Sequence, residues 1–454
     1  MLAEFAMIPI LEWPRDAKKI EALRAKLSLK PLLLEGLDDE TGDNQAKFDT
    51  VRAVLRDVQA CGDAALIELT KKFDKADLTA EAIRVPWSMV EKALKGADKK
   101  FVRALDVAID NLRRYQQAMM AKTPEPIAVM VNGKATGGKL GVKFTPLERV
   151  GLYVPGGAAA YPSSVLHTAV PAQVAGVKEM CLCSPMRGGT IAPAVLVAAA
   201  KVGITEIYAV GGAQAVAAMA FGTASIKAVD KIVGPGNTYV QLAKKELYGV
   251  VDIDSFAGPS EVIVLADSTA NASQVAAELL AQAEHAPGSC LLITASERLA
   301  KNVGMELESQ LRELSREPLT REALKFASAI IITGDHEAAL ALTDAFAPEH
   351  LQITTTDSRG DAMRIKHAGA IFVGAYTPVA AGDYLAGPSH VLPTSGTGRF
   401  FSGLSADSFR KRTSLIEYDA ASLDGLGEAI VDFATVEGFD AHARSVSARM
   451  TKNG

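Results

Sequence analysis

Cysteine is scarce in this chain. Cys61, Cys181, Cys183 and Cys290 are its four cysteines among 454 residues, and no two of them form a CxxC pair. That spacing excludes a disulfide framework and a cysteine-built structural zinc site, and it is ordinary for a reduced cytosolic protein. A basic stripe is also missing. The 48 Lys and Arg are interspersed with 53 Asp and Glu for a net charge of −5, which argues against nucleic acid and anionic membrane as partners. No uninterrupted apolar run is long enough to span a bilayer. The opening residues, MLAEFAMIPILEW, carry Glu4 and lack a basic region, against a signal peptide. The expectation is a soluble, cytoplasmic protein. GxGxxG, the Walker A loop and HExxH are absent as well, which removes the standard nucleotide fingerprints and the zincin helix.

What is present is a composition fit for a large interior, with 48% hydrophobic and 22% charged residues. The length exceeds one ordinary core, and about two to four domains are expected. Residues from 15 to 125 read mostly as helix, with apolar residues three and four apart in FDTVRAVLRDVQACGDAALIELTKKF and SMVEKALKGADKKFVRALDVAIDNLRRYQQAM. Asp49 or Thr50 is a candidate cap for the first of these. From 150 the pattern changes to short apolar strands (RVGLYVP, MCLCS, EIYAV, DKIVG, SEVIVLA) alternating with helices. A second alternating run follows through CLLITA, ASAIIIT, LQITTT and GAIFVG. Alternation of this kind predicts α/β architecture with two parallel sheets, each wound with helices. After 402 the tail reads as helical again.

Three strand-to-helix turns of the first run are glycine-rich: PGG at 155–157, VGGAQ at 210–214 and GPGN at 234–237. Such turns lie beyond the carboxyl ends of the strands, where open sheets bind ligands. Glycine admits close backbone approach, and helix N-termini offer N–H groups to a pyrophosphate. Tight turning alone explains any single loop; three along one edge point to a nucleotide.

The seven histidines can be weighed singly. His167, in an apolar helix, reads as a packed or capping residue, and His336 and His367 as surface positions. Gln282 and His285 are three apart near the end of ASQVAAELLAQAEHAPG, ended by Pro287 and Gly288, which places both on one helix face. Asp383 stands in AAGDYLAGPSH with His390 after it, and His442 follows Glu437 near the C-terminus. Gln, His, Asp and His would suit Zn²⁺ in mixed N/O coordination, although spacing alone does not select them. In AFAPEHLQI, Glu349 and His350 adjoin between a helix and a strand. Two polar residues on a solvated loop are the simpler account of that pair taken by itself.

Assembled, these stretches resemble the histidinol dehydrogenase family. The match runs through GLYVPGGAAAYPSSVLHTAVPAQVAGV, VGGAQAVAAMAFGT, VDKIVGPGNTYVQLAKK, DSFAGPSEVIVLAD, QAEHAPGS, APEHLQI, GAIFVGAYTPVAAGDYLAGPSHVLPT and VEGFDAHARSV, in the family's order from about 150 to the C-terminus. The resemblance implies two Rossmann-like parallel-sheet domains in an aldehyde-dehydrogenase-like arrangement, with helical N-terminal and C-terminal dimerisation segments. The expected division is an arm at 1–48, an α/β domain of 49–145 plus 256–400 carrying zinc and acid–base residues, an NAD-binding domain at 146–255, and a dimerisation segment at 401–454.

It further implies that Gln282, His285, Asp383 and His442 bind one zinc per subunit. Glu349 and His350 become the catalytic acid–base residues. Ser260 and Glu437, with Gln282, His285, His350, Asp383 and His442, contact the substrate, and Tyr153, Gln214 and Asn237 contact NAD. The implied reaction takes L-histidinol through L-histidinaldehyde to L-histidine with two NAD⁺. His350, with an imidazole near its ordinary range, takes the alcohol proton, and an ionised Glu349 activates the water of the second oxidation. Family members are homodimers in which the C-terminal segment reaches the partner's site. Ser389 stands where the family often has Asn, a departure that touches no carried-over role. A related branch oxidises other small alcohols, including a sulfonated propanediol; the retained Ser260, Glu437 and metal set favour histidinol.

Overall fold

The computed structural model describes residues 7–29, 43–156, 160–256, 259–285 and 288–451. Gly157 of the first glycine turn, Gly258 of GPSE and Pro287 after QAEH lie outside the described residues. Two compact units divide the chain: Met1–Ala118 with Glu148–Ala406, and Met119–Leu147 with Asp407–Gly454.

The first unit contains both expected parallel sheets. One has five strands in the order Glu206–Tyr208, Glu179–Cys183, Arg149–Tyr153, Lys231–Val233 and Asp252–Ile253. The other has six, in the order Ile10–Glu12, Ala329–Ile332, Gly288–Thr294, Ser260–Ala266, His350–Thr354 and Ala370–Val373. Every pairing in both is parallel. The apolar runs are continuous because helices cover both faces. Along Ser260–Ala266, Val262 and Val264 enter one core with Leu279, Leu292 and Val303, while Ile263 and Leu265 enter the other with Leu291, Leu340 and Ile353.

Apart from the edge strand Ile10–Glu12, the two sheets wind alike. In each, the first strand lies centrally, the second and third add on one side, and the fourth and fifth on the other. The crevice where winding reverses lies between Arg149–Tyr153 and Lys231–Val233 in one sheet and between Ser260–Ala266 and His350–Thr354 in the other. The segment 49–145 contributes helices Asp43–Cys61 and Trp87–Gly96, which pack on helices of the five-stranded sheet. It also contributes a hairpin to the second unit.

That hairpin joins Ile127–Val131 to Lys134–Pro146 through Asn132 and Gly133, both at positive φ (48° and 76°) as a two-residue hairpin turn requires. Lys134–Pro146 then pairs antiparallel with Arg410–Glu417 over eight residues. The tail after 402, expected to be helical, therefore opens with a strand, because RKRTSLIE finds a partner distant in sequence. Helices follow at Ala420–Val436, where the Asp419 carboxylate caps the Ser422 N–H at 2.8 Å, and at Asp440–Ser447. Among the described residues no helix is long and apolar enough to cross a membrane.

Candidate active site

Glu349 and His350 stand at the amino end of a central strand of the six-stranded sheet. They are buried, at 5% and 3% exposure, so they are not residues of a solvated loop. Parallel pairing sets His350 opposite Val262, which brings Ser260 and Glu261 alongside. The Glu349 carboxylate accepts the Glu261 N–H at 3.0 Å, and Ser260 also hydrogen-bonds to it. Burial, with the charges of Glu261 and Asp383, holds the Glu349 carboxyl well above the usual carboxylate range despite those bonds. An ionised Glu349 was the expectation; burial works against that charge.

The His350 Nδ1 lies 3.1 Å from the carbonyl oxygen of Glu261. Its Nε2 is buried without a partner among the described residues and faces Asp383 Oδ1 at 3.7 Å. Burial pushes the imidazole down to about 3, helped by the nearby rings of His285 and His390 and opposed by the bond to Glu261. This departs from the near-ordinary value expected from sequence. Desolvation is the reason, and its result is a neutral ring with one free lone pair.

Gln282 is buried on helix Ala272–Ala283, and its Nε2 also has no partner among the described residues. The helix stops before His285, whose N–H reaches back to the Gln282 carbonyl at 3.2 Å. The shared helix face expected for the two is thus a closing turn. Gly288 permits it, since a Cβ there would strike the Gln282 carbonyl oxygen. Asp383 comes from the short helix Val379–Tyr384; burial, with the charge of Glu278, pushes its carboxyl up to about 7. The fold thus gathers Ser260, Gln282, His285, Glu349, His350 and Asp383 in the first unit. Glu437 and His442 belong to the second unit, where both are exposed and the His442 ring lies 5.1 Å from Phe439. Among the described residues no three His, Cys, Asp or Glu side chains group as a cation site. The first unit offers one imidazole, one carboxylate and one amide, a set that needs a further donor to be complete.

Two carboxylates were missed from sequence. Glu261 opens an apolar strand yet is buried, and Glu278 accepts the Val379 N–H at 2.9 Å, tying the Gln282 helix to the Asp383 helix. Their signal was an acid placed on an apolar face. His167, read as packed, is indeed fully buried and stacks on His390 at 4.2 Å.

Tyr153, Gln214 and Asn237 meet at one cavity of about 600 Å³, beyond the carboxyl ends of the five-stranded sheet, lined also by Gly156, Gly212 and Tyr239. Tyr153 ends the first strand, and its hydroxyl accepts the Gly212 N–H at 3.1 Å. Asn237 caps helix Thr238–Leu247 through the N–H groups of Tyr239 and Val240. The turn before it is fixed from below: Lys244 donates to the Gly234 carbonyl and pairs with Asp254 at 2.8 Å, while Asp254 accepts the Gly234 N–H.

The model of the family described as histidinol dehydrogenase matches residues 38–450. The chain belongs to the histidinol dehydrogenase family. It is 46% identical to histidinol dehydrogenase of Rhodopirellula baltica, covering 95% of this chain and 94% of that one. It is 47% identical to that of Synechococcus, over 92% and 95%. The crystal structure of histidinol dehydrogenase from Elizabethkingia anophelis superposes with a TM-score of 0.88 at 35% identity, covering 98% of each chain. As a member of the histidinol dehydrogenase family the chain is an enzyme, an oxidoreductase, and its α/β architecture is that of the family.

Proposed function

We propose that this enzyme oxidises L-histidinol through L-histidinaldehyde to L-histidine, the last two steps of histidine biosynthesis, with two NAD⁺ reduced in turn. One observation carries the proposal: a buried, neutral His350 with a free Nε2 next to Asp383, on the same sheet edge as a buried Glu349. His350 accepts the alcohol proton at Nε2, while its Nδ1–H bond to the Glu261 carbonyl holds the ring as charge develops. Glu349, made more basic by burial, takes a proton from the water that hydrates the aldehyde. Two proton handlers at one carbon answer the need of two successive oxidations.

Gln282, His285 and Asp383 would hold Zn²⁺ together with His442; an amide oxygen, a carboxylate and imidazole nitrogens are mixed N/O donors that fit that ion. When bound, zinc supplies a Lewis acid that anchors the substrate's nitrogens without changing redox state. NAD⁺, the hydride acceptor, would lie along Tyr153, Gln214 and Asn237. Ser260 and Glu437 would complete the substrate contacts. Exposed Ile416, Phe433, Val436 and Phe439 on the second unit support a homodimer, with Glu437 and His442 serving the neighbouring subunit. The enzyme would work in the cytoplasm.

Following NADH absorbance with histidinol, and separately with a sulfonated propanediol, tests the proposal. Two NADH per histidinol, loss on chelation and recovery with Zn²⁺ are expected. Turnover of the diol alone would overturn the substrate assignment.

A further inference from the structure

One residue touches both members of the Glu349–His350 pair through three different groups. The Glu261 N–H donates to the Glu349 carboxylate at 3.0 Å, and the Glu261 carbonyl receives the His350 Nδ1–H at 3.1 Å. The Glu261 carboxylate then accepts the Glu349 N–H at 3.2 Å. Any shift of Glu261 therefore moves both neighbours. The same carboxylate oxygen accepts the Ser395 N–H at 2.8 Å, and the Gly396 N–H also bonds to the group.

Ser395 and Gly396 sit at φ values of 56° and 79°, in a turn closed by the Thr397 N–H to the Thr394 carbonyl. Two successive left-handed residues turn adjacent N–H groups into one anion-binding concavity, and for a serine that backbone region is sparsely populated. The loop is thus shaped around a buried carboxylate.

We propose that Glu261 is the positioning residue of the acid–base pair, and that the Ser395–Gly396 turn locks its carboxylate in place. Glu261 does not meet the substrate; it sets where Glu349 and His350 stand. The inference rests on the reading of those two as the proton handlers of the reaction.

The test compares E261A with E261Q, whose Oε1 still accepts the Glu349 and Ser395 N–H groups. Removing the acceptor in E261A should lower kcat by about 10²-fold, the usual consequence of an ångström-scale misplacement, with the KM for NAD⁺ little changed. E261Q should recover turnover to within about tenfold of the parent. Turnover of E261A near that of the parent, or of E261Q as low as that of E261A, overturns the proposal. So does a KM for NAD⁺ that rises as kcat falls. An unaltered enzyme that fails to oxidise histidinol would sink the functional reading and not this one. For this one a crystal structure of E261A then decides: Glu349 and His350 displaced supports it, and both in their parent positions overturns it.

Discussion

His350 Nδ1 lies 3.1 Å from the carbonyl oxygen of Glu261, and a carbonyl can only accept. The proton of the neutral ring is therefore on Nδ1, and Nε2 is the basic nitrogen. His350→Asn removes that base and leaves Gln282, His285 and Asp383 in place. Turnover should fall by roughly 10²–10⁴ while zinc stays bound. Steady-state kinetics beside metal analysis by mass spectrometry checks this; near-normal turnover removes His350 from the role.

In the proposed reaction Glu349 would serve the second oxidation. Its carboxyl is held above the ordinary range by burial, which makes the carboxylate a stronger base. Glu349→Gln keeps an oxygen for the Glu261 N–H and loses the basicity. Aldehyde should accumulate in that variant, because the hydrated intermediate forms more slowly than the first hydride departs. Rapid-quench analysis of histidinaldehyde is the measurement; equal slowing of both halves speaks against water activation.

Much of this was legible in the chain before its structure. Strand–helix alternation from 150 onward, the three glycine turns and the buried character of the apolar strands all follow from local patterning. What stayed hidden depends on distant partners. Arg410–Glu417 becomes a strand only because Lys134–Pro146 lies beside it, and no local signal names that partner. Glu261 and Glu278 went unread in the sequence, and only burial shows them as anchors. Burial also shifts two side chains of the candidate site, lowering His350 and raising Glu349, which composition cannot reveal. The gathering of Gln282, His285 and Asp383 rested on family resemblance, since their spacing is common by chance.

Glu278 offers a metal test that needs no turnover. Its carboxylate receives the Val379 N–H at 2.9 Å, one turn before Gln282 on the same helix, and so fixes the helix bearing Asp383. Glu278→Ala should weaken zinc binding by about 10–100-fold, the usual effect of losing a group that orients a ligand. Glu278→Gln, which retains the acceptor oxygen, should bind nearly as the parent does. Competition with a coloured chelator reads both; equal affinity for all three proteins rejects the role.

Gly234 ties the cavity at Tyr153, Gln214 and Asn237 to the buried Lys244–Asp254 pair. Its φ is 118°, and a Cβ there would strike the Tyr153 carbonyl oxygen. Gly234→Ala should cost about 1–3 kcal/mol of stability, as strained backbone does, and displace the turn leading to Asn237. The KM for NAD⁺ should rise while that for histidinol holds. Initial-rate kinetics with each substrate varied in turn separates the two; a rise confined to histidinol refutes the placement of the nucleotide.

Glu206 gives a pH test of stability far from the chemistry. Arg149, itself 7% exposed, donates to Glu206 at 2.5 Å and to Glu179 at 2.9 Å, and the Tyr208 hydroxyl adds a bond to Glu206 at 2.9 Å. The Arg149 hydrogen bond, against an opposing effect of burial, holds the Glu206 carboxyl below its ordinary value. A carboxyl lowered on folding stabilises the native state above its unfolded pKa, and that contribution fades as pH falls through the folded value. Glu206→Gln should therefore cost about 1.5–3 kcal/mol at pH 7, the range for a hydrogen bond to a charged group. The gap should narrow below the ordinary glutamate pKa, as the parent's carboxylate also becomes neutral. Urea unfolding of both proteins at pH 7 and at decreasing pH measures the gap. A difference that stays constant down through the glutamate range would show that the charge on Glu206 contributes nothing to folding.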